Sequence, residues 1–384
     1  MKCKFFKKIV PFFIGLLLSA VTMAQDSARL RVSLLTCTPG DELYSLFGHT
    51  AIRITDSSMQ TDVVYNYGTF NFDDKNFYLK FIRGKLNYFI SAEYFEDFKY
   101  GYQITNRGIR EQLLQLSAAE KKALQSFLNN NLKEENKYYQ YDFFFNNCTT
   151  KIRDILLKMR KQALDLPAVM PVNTRFREAI HTYLDKGQQP WSKLGIDILL
   201  GARTDRVMSA SDQQFLPDNL MRALDSSHNN GFILSAENLY PLPPKETKQL
   251  LFTPFVFFTS LLMLFVLLQF TGSKKWPVLM SGLDGWLFFM TGLLGILLIL
   301  MWVATDHSMT KDNYNLLWAL PTHTIISFFI NSKKKWLKLY WLFTVITGIL
   351  LLLSWALLPQ QLNIALTAFV ALIVFRAYIR YNNF

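Results

Sequence analysis

The sequence predicts an α+β domain that is exported across a membrane and followed by an α-helical transmembrane bundle of about five spans. Three observations predict this. The chain opens with a secretory signal, its middle mixes short alternating strands with amphipathic helices, and its last third consists of long apolar runs. Strands and helices do not alternate as βαβ units, which favours α+β. The predicted parts are a signal peptide at 1–24, a soluble domain at 25–240, a linker at 241–249 and a transmembrane domain at 250–384.

Residues 1–24 have the pattern of a secretory signal peptide. Four Lys accompany an apolar stretch of about a dozen residues, and small residues at Thr22 and Ala24 predict cleavage after Ala24. Cys3 is removed with the signal, so the mature chain retains only Cys37 and Cys148. Two cysteines are too few for a disulfide framework. They form either one bridge or two reactive thiols.

The net charge of +12 is unevenly distributed along the chain. The signal region carries four Lys and no acid, and residues 251–384 carry nine Lys or Arg against three Asp. The soluble domain is therefore nearly neutral, and the basic residues lie at the edges of apolar segments. This pattern argues against a nucleic-acid partner.

Short strands and then helices are expected in the soluble domain. Ser117 and Glu120 form a capping-box pattern that predicts a helix to about Asn130. A Pro-rich polar stretch, NLYPLPPKETKQ, marks the boundary to the apolar region. The predicted strands cover 29–37, 50–55, 62–68 and 87–92, and further helices cover 148–161, 173–186 and 215–226.

Five apolar runs in the last third predict the membrane spans. The third is the weakest, because it is short and contains Pro321 and His323. The loops TGSKKWP and NSKKKW and the tail are basic, whereas TDHSMTKDN and LPQQ are not. The positive-inside rule then predicts a multi-pass inner-membrane protein with its soluble domain in the periplasm. The predicted spans are 250–270, 279–303, 314–330, 337–357 and 362–379.

Cys148 lies where an aromatic run, YDFFFNN, turns into a helix capped by Asn147. The helix dipole and the N–H groups of a first turn favour a thiolate and can hold an oxyanion. Cys148 is therefore a candidate nucleophile. The alternative is a buried structural cysteine, which is a common fate of free thiols.

His49 is the best candidate for a base that activates this thiol. It follows Gly48 at the start of a strand of alternating character, where an imidazole could reach a neighbouring helix. The alternative is a strand-edge residue bonded to a backbone carbonyl. We expect His181 on a helix surface and His228 in a solvated loop.

Three further residues near the predicted dyad have open roles. Asn66, on the next strand, is a candidate for orienting the imidazole, although the sequence does not reveal which strand face meets His49. Asn147 caps its helix and is also a candidate oxyanion donor. Arg53 either binds a lipid phosphate or pairs with an acid, and the ion pair is the safer expectation.

The loop TDHSMTKDN lies on the predicted periplasmic side of the second and third spans. Its polar residues include Asp306, His307 and Asn313. Such a cluster is most often a solvated turn. The alternative is a substrate-binding site for a lipid headgroup or a lipoprotein N-terminus, in which His307 would compete with His49 as a base.

A family resemblance rests on GHTAIRI, followed about a hundred positions later by YDFFFNNCTTKIRD. This order is similar to circularly permuted papain-like NlpC-type domains and to lecithin–retinol acyltransferase. Nearly all of the mature chain resembles the Lnb-type lipoprotein N-acyltransferase family of Bacteroidetes, with YNYGTFNF and TDHSMTKDNYNLLWALP as further specific segments. The resemblance implies a permuted papain-like periplasmic domain with Cys148 as nucleophile and His49 as base.

The resemblance also implies the reaction. A fatty acyl chain would pass from a membrane phospholipid, through a Cys148 thioester, to the α-amine of a diacylated lipoprotein. No metal, nucleotide or other cofactor is expected, because the sequence contains neither a His/Cys cluster nor a phosphate-binding Gly loop. Two alternatives remain: a membrane-tethered cysteine hydrolase acting on cell wall or lipid, and a non-enzymatic scaffold with a Cys37–Cys148 disulfide.

Overall fold

The fold was taken from a computed structural model, which describes residues 29–226, 231–240, 251–270 and 276–384. The predicted signal peptide, the linker at 241–249 and His228 lie outside the described residues. Part of the basic loop that follows the first predicted span lies outside them as well.

Seven strands form one antiparallel sheet in the order β6-β4-β3-β2-β1-β5-β7. The four predicted strands lie side by side in the middle of this order, and β1 and β2 carry most of their buried residues. The strands are β1 (Leu30–Cys37), β2 (His49–Asp56), β3 (Thr61–Thr69), β4 (Asn87–Tyr94), β5 (Ile109–Leu114), β6 (Tyr138–Gln140) and β7 (Ile233–Tyr240).

Helices connect the strands and make up the C-terminal part. The predicted capping box of Ser117 and Glu120 is present. The helices are α1 (Phe77–Ile82), α2 (Phe95–Ile104), α3 (Ala118–Asn131), α4 (Cys148–Met159), α5 (Phe176–Lys186), α6 (Pro190–Leu199), α7 (Ala210–Gln213), α8 (Pro217–Asp225), α9 (Pro254–Phe270), α10 (Trp276–Val303), α11 (Thr322–Ile326), α12 (Lys335–Leu353) and α13 (Leu366–Asn382). Short 3-10 turns cover Leu43–Ser45, Ala202–Asp205, Ser308–Thr310, Tyr314–Leu317, Ser327–Phe329 and Trp355–Leu357.

The chain forms two compact units that alternate along the sequence. We call them the sheet unit and the membrane unit. Of the described residues, the sheet unit comprises 29–77, 86–172, 208–226 and 231–240. The membrane unit comprises 78–85, 173–207, 251–270 and 276–384.

Both faces of the central strands are packed within the sheet unit. One face packs Val32, Leu34 and Ile52 against the apolar side of α4, where Ile152 and Leu156 lie one helical turn apart. Each fully buried aliphatic side chain of this kind contributes roughly 1.5–3 kcal/mol. The opposite face packs against α2. Because α4 lies on β2 and β3, its first turn is held close to the start of β2.

Two helices of the described residues, at Pro277–Val303 and Lys335–Leu353, are long and apolar enough to cross a membrane, whereas α9 is an apolar helix of 17 residues. The third predicted span is not a continuous helix. Residues 314–330 form a 3-10 turn, the five residues of α11 and a second 3-10 turn. Pro321 has no N–H to donate to a helix, which accounts for the interruption. The count of five spans stays a prediction.

Close packing holds this interrupted segment against α10. A Cβ atom on Gly292 would collide with the backbone N of Thr324, and one on Gly295 would collide with the carbonyl of Ala319. Glycine at these two positions therefore allows direct approach of the two backbones.

Within the membrane unit, a buried polar network binds segment 173–207 to loops of the C-terminal region. Arg177, which is fully buried, pairs with Asp197 at 2.9 Å and with Asp205 at 3.0 Å. The second carboxylate oxygen of Asp197 accepts from Asn363, and Asn313 donates to the carbonyl of Ile198. The loops that follow α10 and α12 therefore lie on the same side of the membrane as residues 173–207.

Candidate functional site

His49 opens β2 directly after a tight turn. Gly48 has a φ of +80°, and a Cβ atom there would lie 2.7 Å from the carbonyl oxygen of Cys37. Only glycine accommodates both conditions without strain. The turn is also why Cys37 and His49 face each other at the end of the β1–β2 ladder.

The side chains of Cys148 and His49 lie close enough for each to shift the pKa of the other. Burial opposes ionisation of the thiol. The His49 charge, its hydrogen bond and the N–H of Thr50 outweigh that cost, so the Cys148 pKa falls from 9.0 to about 7. Burial likewise opposes the imidazolium, yet the Cys148 thiolate and the bond to Asn66 raise the pKa of His49 above 6.5. Each charge stabilises the other, as in a thiolate–imidazolium pair.

Asn66 connects His49 to a carboxylate. The His49 Nε2–H donates to Asn66 Oδ1 at 3.0 Å, and Asn66 Nδ2 donates to Glu93 Oε1 at 2.8 Å. With Nε2 engaged, Nδ1 is the ring nitrogen left for Cys148. The amide is 7% exposed, so the imidazole is held in one orientation.

The first turn of α4 carries a capping box of its own. The N–H of Asn147 donates to the Thr150 hydroxyl, and the N–H of Thr150 donates to Asn147 Oδ1. The N–H of Lys151 donates to the Asn147 carbonyl. Of the first-turn donors, those of Cys148 and Thr149 then remain to face an oxyanion. A 3.0 Å bond between the Thr50 and Thr149 hydroxyls ties this turn to β2.

An aromatic wall begins beside the thiol. Gly68 has a φ of +91°, and a Cβ atom there would lie 3.5 Å from the Cys148 Cβ and 3.9 Å from the Tyr141 ring. Tyr141 stacks on Tyr88 at 4.2 Å, and Tyr88 contacts Phe70 at 5.3 Å. Phe70 then packs on Phe72 at 4.9 Å. The site thus combines a reactive thiol with a row of packed aromatic rings that ends at the exposed Phe72.

Cys37 is a buried free thiol. Its pKa is raised by burial to about 12, against a hydrogen bond from Tyr102 and the charge of Arg107 that lower it. Cys148 is also a free thiol, so the scaffold alternative with a Cys37–Cys148 disulfide is not supported. A thiol with so high a pKa is not a nucleophile at neutral pH.

Two of the predicted site residues are engaged in structural contacts. Arg53 pairs with Asp62 at 2.6 Å and with Glu111 at 3.0 Å, and its guanidinium lies 3.4 Å from the centre of the Phe95 ring. The ion-pair interpretation of Arg53 therefore fits the geometry better than a lipid-phosphate site. Asn147 donates from its amide to two backbone carbonyls, so its side chain serves the helix cap.

The loop after α10 is ordered by contacts within the membrane unit. His307 Nε2 donates to the carbonyl of Phe81 at 3.1 Å, and the N–H of Asp306 donates to the carbonyl of Arg83. Asn313 is buried and bonded to segment 173–207. A solvated turn does not describe this loop, because its polar groups bind other parts of the chain.

His181, expected on a helix surface, is instead largely buried. Its side chain is 15% exposed, and Nε2 lies 2.8 Å from Asp197 Oδ1. This bond belongs to the network around Arg177. Among the residues that the structure describes, no group of three or more His, Cys, Asp or Glu side chains could hold a metal ion.

Four contributors to the site were missed by sequence reasoning: Thr50, Gly68, Glu93 and Tyr141. The sequence did contain a signal for Gly68, because a glycine inside a strand pattern often marks a bulge or a close approach of another backbone or a ligand. The register of β3 and β4 does shift between Asn66 and Thr69. Glu93 had no local signal, since its role depends on strand pairing.

Comparison with known proteins gave two family matches. Residues 18–177 match the family model of the Lnb N-terminal periplasmic domain, and residues 245–383 match that of the Lnb transmembrane domain. Searches of curated proteins and of solved structures found no match.

Proposed function

The chain belongs to the Lnb family, as a membrane-bound protein with a periplasmic domain, and from this premise we propose that it is a lipoprotein N-acyltransferase. The observation that carries the proposal is the Cys148–His49 pair in that periplasmic domain, with the thiol pKa lowered to about 7. A thiolate is the nucleophile that acyl transfer through a thioester requires.

In the first half-reaction, the Cys148 thiolate attacks an ester carbonyl of a membrane phospholipid. A carbon–sulfur bond forms, and the N–H groups of Cys148 and Thr149 stabilise the oxyanion. When the ester carbon–oxygen bond breaks, the His49 imidazolium gives its proton to the leaving alcohol. The products are an acyl-Cys148 thioester and a lysophospholipid.

In the second half-reaction, the α-amine of a diacylated lipoprotein attacks the thioester. His49, now neutral, accepts a proton from the amine as the carbon–nitrogen bond forms and the carbon–sulfur bond breaks. The thiolate and the imidazolium are regenerated together. An α-amine of ordinary pKa, about 8, is partly neutral under these conditions and needs no further activation.

Two features support a lipid substrate over a soluble one. The aromatic wall from Tyr141 to Phe72 is apolar and begins beside the thiol. In addition, donor and acceptor are both anchored in a membrane, and the chain carries a transmembrane domain. A cell-wall hydrolase would need only a simple anchor.

The test uses the purified full chain in vesicles of a phospholipid with one defined acyl chain. Without acceptor, we expect that acyl mass on the Cys148 peptide together with lysophospholipid. Addition of a diacylated lipopeptide should discharge the thioester and yield triacylated product. Cys148→Ser is the inactive control. Release of free fatty acid, with no acylated lipopeptide, would instead identify the hydrolase alternative.

A further inference from the structure

A group of large apolar side chains is exposed on the short segment 78–82. Tyr78 is 76% exposed, Leu79 56%, Phe81 52% and Ile82 46%. At 3.6 residues per turn these four positions span an arc of roughly 160° of α1. Lys80, which is only partly exposed, lies on the opposite side. The segment is therefore amphipathic.

Backbone contacts fix this segment at the end of a membrane helix. The carbonyls of Phe81 and Arg83 accept hydrogen bonds from His307 and Asp306, which follow shortly after the end of α10 at Val303. The His307 ring also lies about 3.2 Å from where a Cβ of Gly84 would be.

The length of α10 indicates at which level of the bilayer segment 78–82 contacts the loop that follows this helix. Its 28 residues extend about 42 Å, more than the roughly 30 Å of a hydrocarbon core. Leu300 and Val303 at its end are 50% and 72% exposed, as expected of a lipid-facing surface. Residues 306–307 then lie at the level of the lipid headgroups, and the bound segment lies there with them.

The charged residues after the apolar group, and a tryptophan contact elsewhere in the membrane unit, agree with a position at the lipid headgroups. Arg83 and Lys85, both exposed, follow the apolar group directly and carry the charge that suits phosphate headgroups. Elsewhere in the membrane unit, the indole N–H of Trp191 donates to the carbonyl of Phe252, just before α9. Tryptophan is enriched at membrane interfaces.

We propose that the apolar face of Tyr78, Leu79, Phe81 and Ile82 is immersed in the lipid bilayer, with Arg83 and Lys85 at the phosphate level. The occupant of this surface is the phospholipid leaflet itself. The segment joins β3, which carries Asn66 and Gly68, to β4, which carries Glu93. The strands of the candidate site are thus linked through the chain to a part of the protein that enters the lipid.

Spin-label accessibility in the full chain tests this proposal without relying on activity. Both cysteines of the mature chain, Cys37 and Cys148, are replaced by serine, and single cysteines are introduced by Leu79→Cys, Ile82→Cys and Lys80→Cys. Reference labels at Leu300 and Asp154 mark lipid and water. Each variant is reconstituted in phosphatidylglycerol and phosphatidylethanolamine vesicles, and its collisions with oxygen and with a water-soluble nickel chelate are measured.

We expect the ratio of oxygen to nickel collisions at 79 and 82 to be several times that at 80 and close to that at 300. A ratio at 79 and 82 that matches the value at 154 would place the face in water and overturn the proposal. Low collision rates with both reagents at 79 and 82 would indicate cover by protein, either a partner or a second copy, and would overturn it as well.

Discussion

Asn66 Oδ1 lies 3.0 Å from His49 Nε2, and the same amide donates to Glu93 at 2.8 Å. This is the orienting contact that the sequence left open. The amide neutralises no charge. It fixes the ring and leaves Nδ1 for the thiol, and Glu93 in turn fixes the amide.

Asn66→Ala should therefore lower the rate of acyl-Cys148 formation by about 10- to 100-fold, by analogy with the loss of a partner that orients a metal-bound His. Because Asn66 acts through His49, the midpoint of Cys148 alkylation should also move to higher pH. Glu93→Gln keeps an acceptor oxygen and should retain most activity. A midpoint unchanged in Asn66→Ala would show that the amide has only a packing role.

The two thiols of the mature chain should respond oppositely to serine. Cys148→Ser preserves volume and helix cap but replaces a thiol of pKa about 7 with an alcohol, so acyl transfer should fall by orders of magnitude at normal expression. Cys37→Ser, at a buried thiol, should retain most activity. An equal loss of acyl transfer in both variants would contradict this mechanism and would require the acyl chain to pass between the two thiols. Mass spectrometry of acylated lipopeptide measures both.

The pH dependence of Cys148 alkylation follows from its lowered pKa. The thiolate forms as pH rises through about 7, so the rate with iodoacetamide should reach half its maximum there instead of near 9.0. His49→Ala removes the stabilising charge and should shift the midpoint upward. Cys37, with a pKa of about 12, should stay unmodified as an internal control. A wild-type midpoint near 9 would contradict the ion pair.

Gly68→Ala should reduce activity through backbone strain and through a methyl group placed beside the thiol. A φ of +91° disfavours any side chain, at a cost of about 1 kcal/mol, and the new methyl would lie 3.5 Å from the Cys148 Cβ. The methyl lies between thiol and aromatic wall, so acylation by long-chain phospholipid should suffer more than alkylation by iodoacetamide. Gly231→Ala, at a φ of +76° with Gln115 Oε1 as the nearest atom at 3.6 Å, is the matched control for strain. Equal losses of acylation and alkylation would indicate strain alone.

Reporter fusions test the topology. Fusions after residue 245 and within 304–313 should report the periplasm, and fusions within 271–277 and 331–336 the cytoplasm. The bonds of Asn313 and Asn363 to segment 173–207 already require those two loops to share its side. A cytoplasmic signal from 304–313 would therefore contradict both the span count and these contacts.

Local patterns predicted the elements that carry the dyad. Helix α4 and strand β2 have strong signals, namely an Asn cap before helical periodicity and a glycine before alternation, and both begin within a residue of their predicted starts. Strands β5 and β7 were missed. They pair residues 109–114 with residues 233–240, and such distant pairing leaves little local trace.

The role of Asn66 depended on strand register in the same way. Alternation divides β3 into two faces, with Tyr65 and Tyr67 on one and Asn66 on the other. The face that meets His49 depends on how α4 and α2 pack on the sheet. This packing is tertiary structure, which the local sequence pattern does not reveal. The buried network of Arg177 was equally invisible, because its acids lie 20 and 28 residues away.

Because the two units alternate along the chain, evolution cannot remove one of them by a simple truncation without affecting the other. Loss of the C-terminal third would leave Arg177 and Asp197 in the remaining polypeptide, but without Asn313 and Asn363. The exposed face at 78–82 would also remain, without the loop that holds it. A single stop codon before α9 would therefore leave polar groups and an apolar face without the partners that they have in the full chain. Compensating changes in two insertions of the sheet unit would be needed, so the two parts are expected to be inherited together.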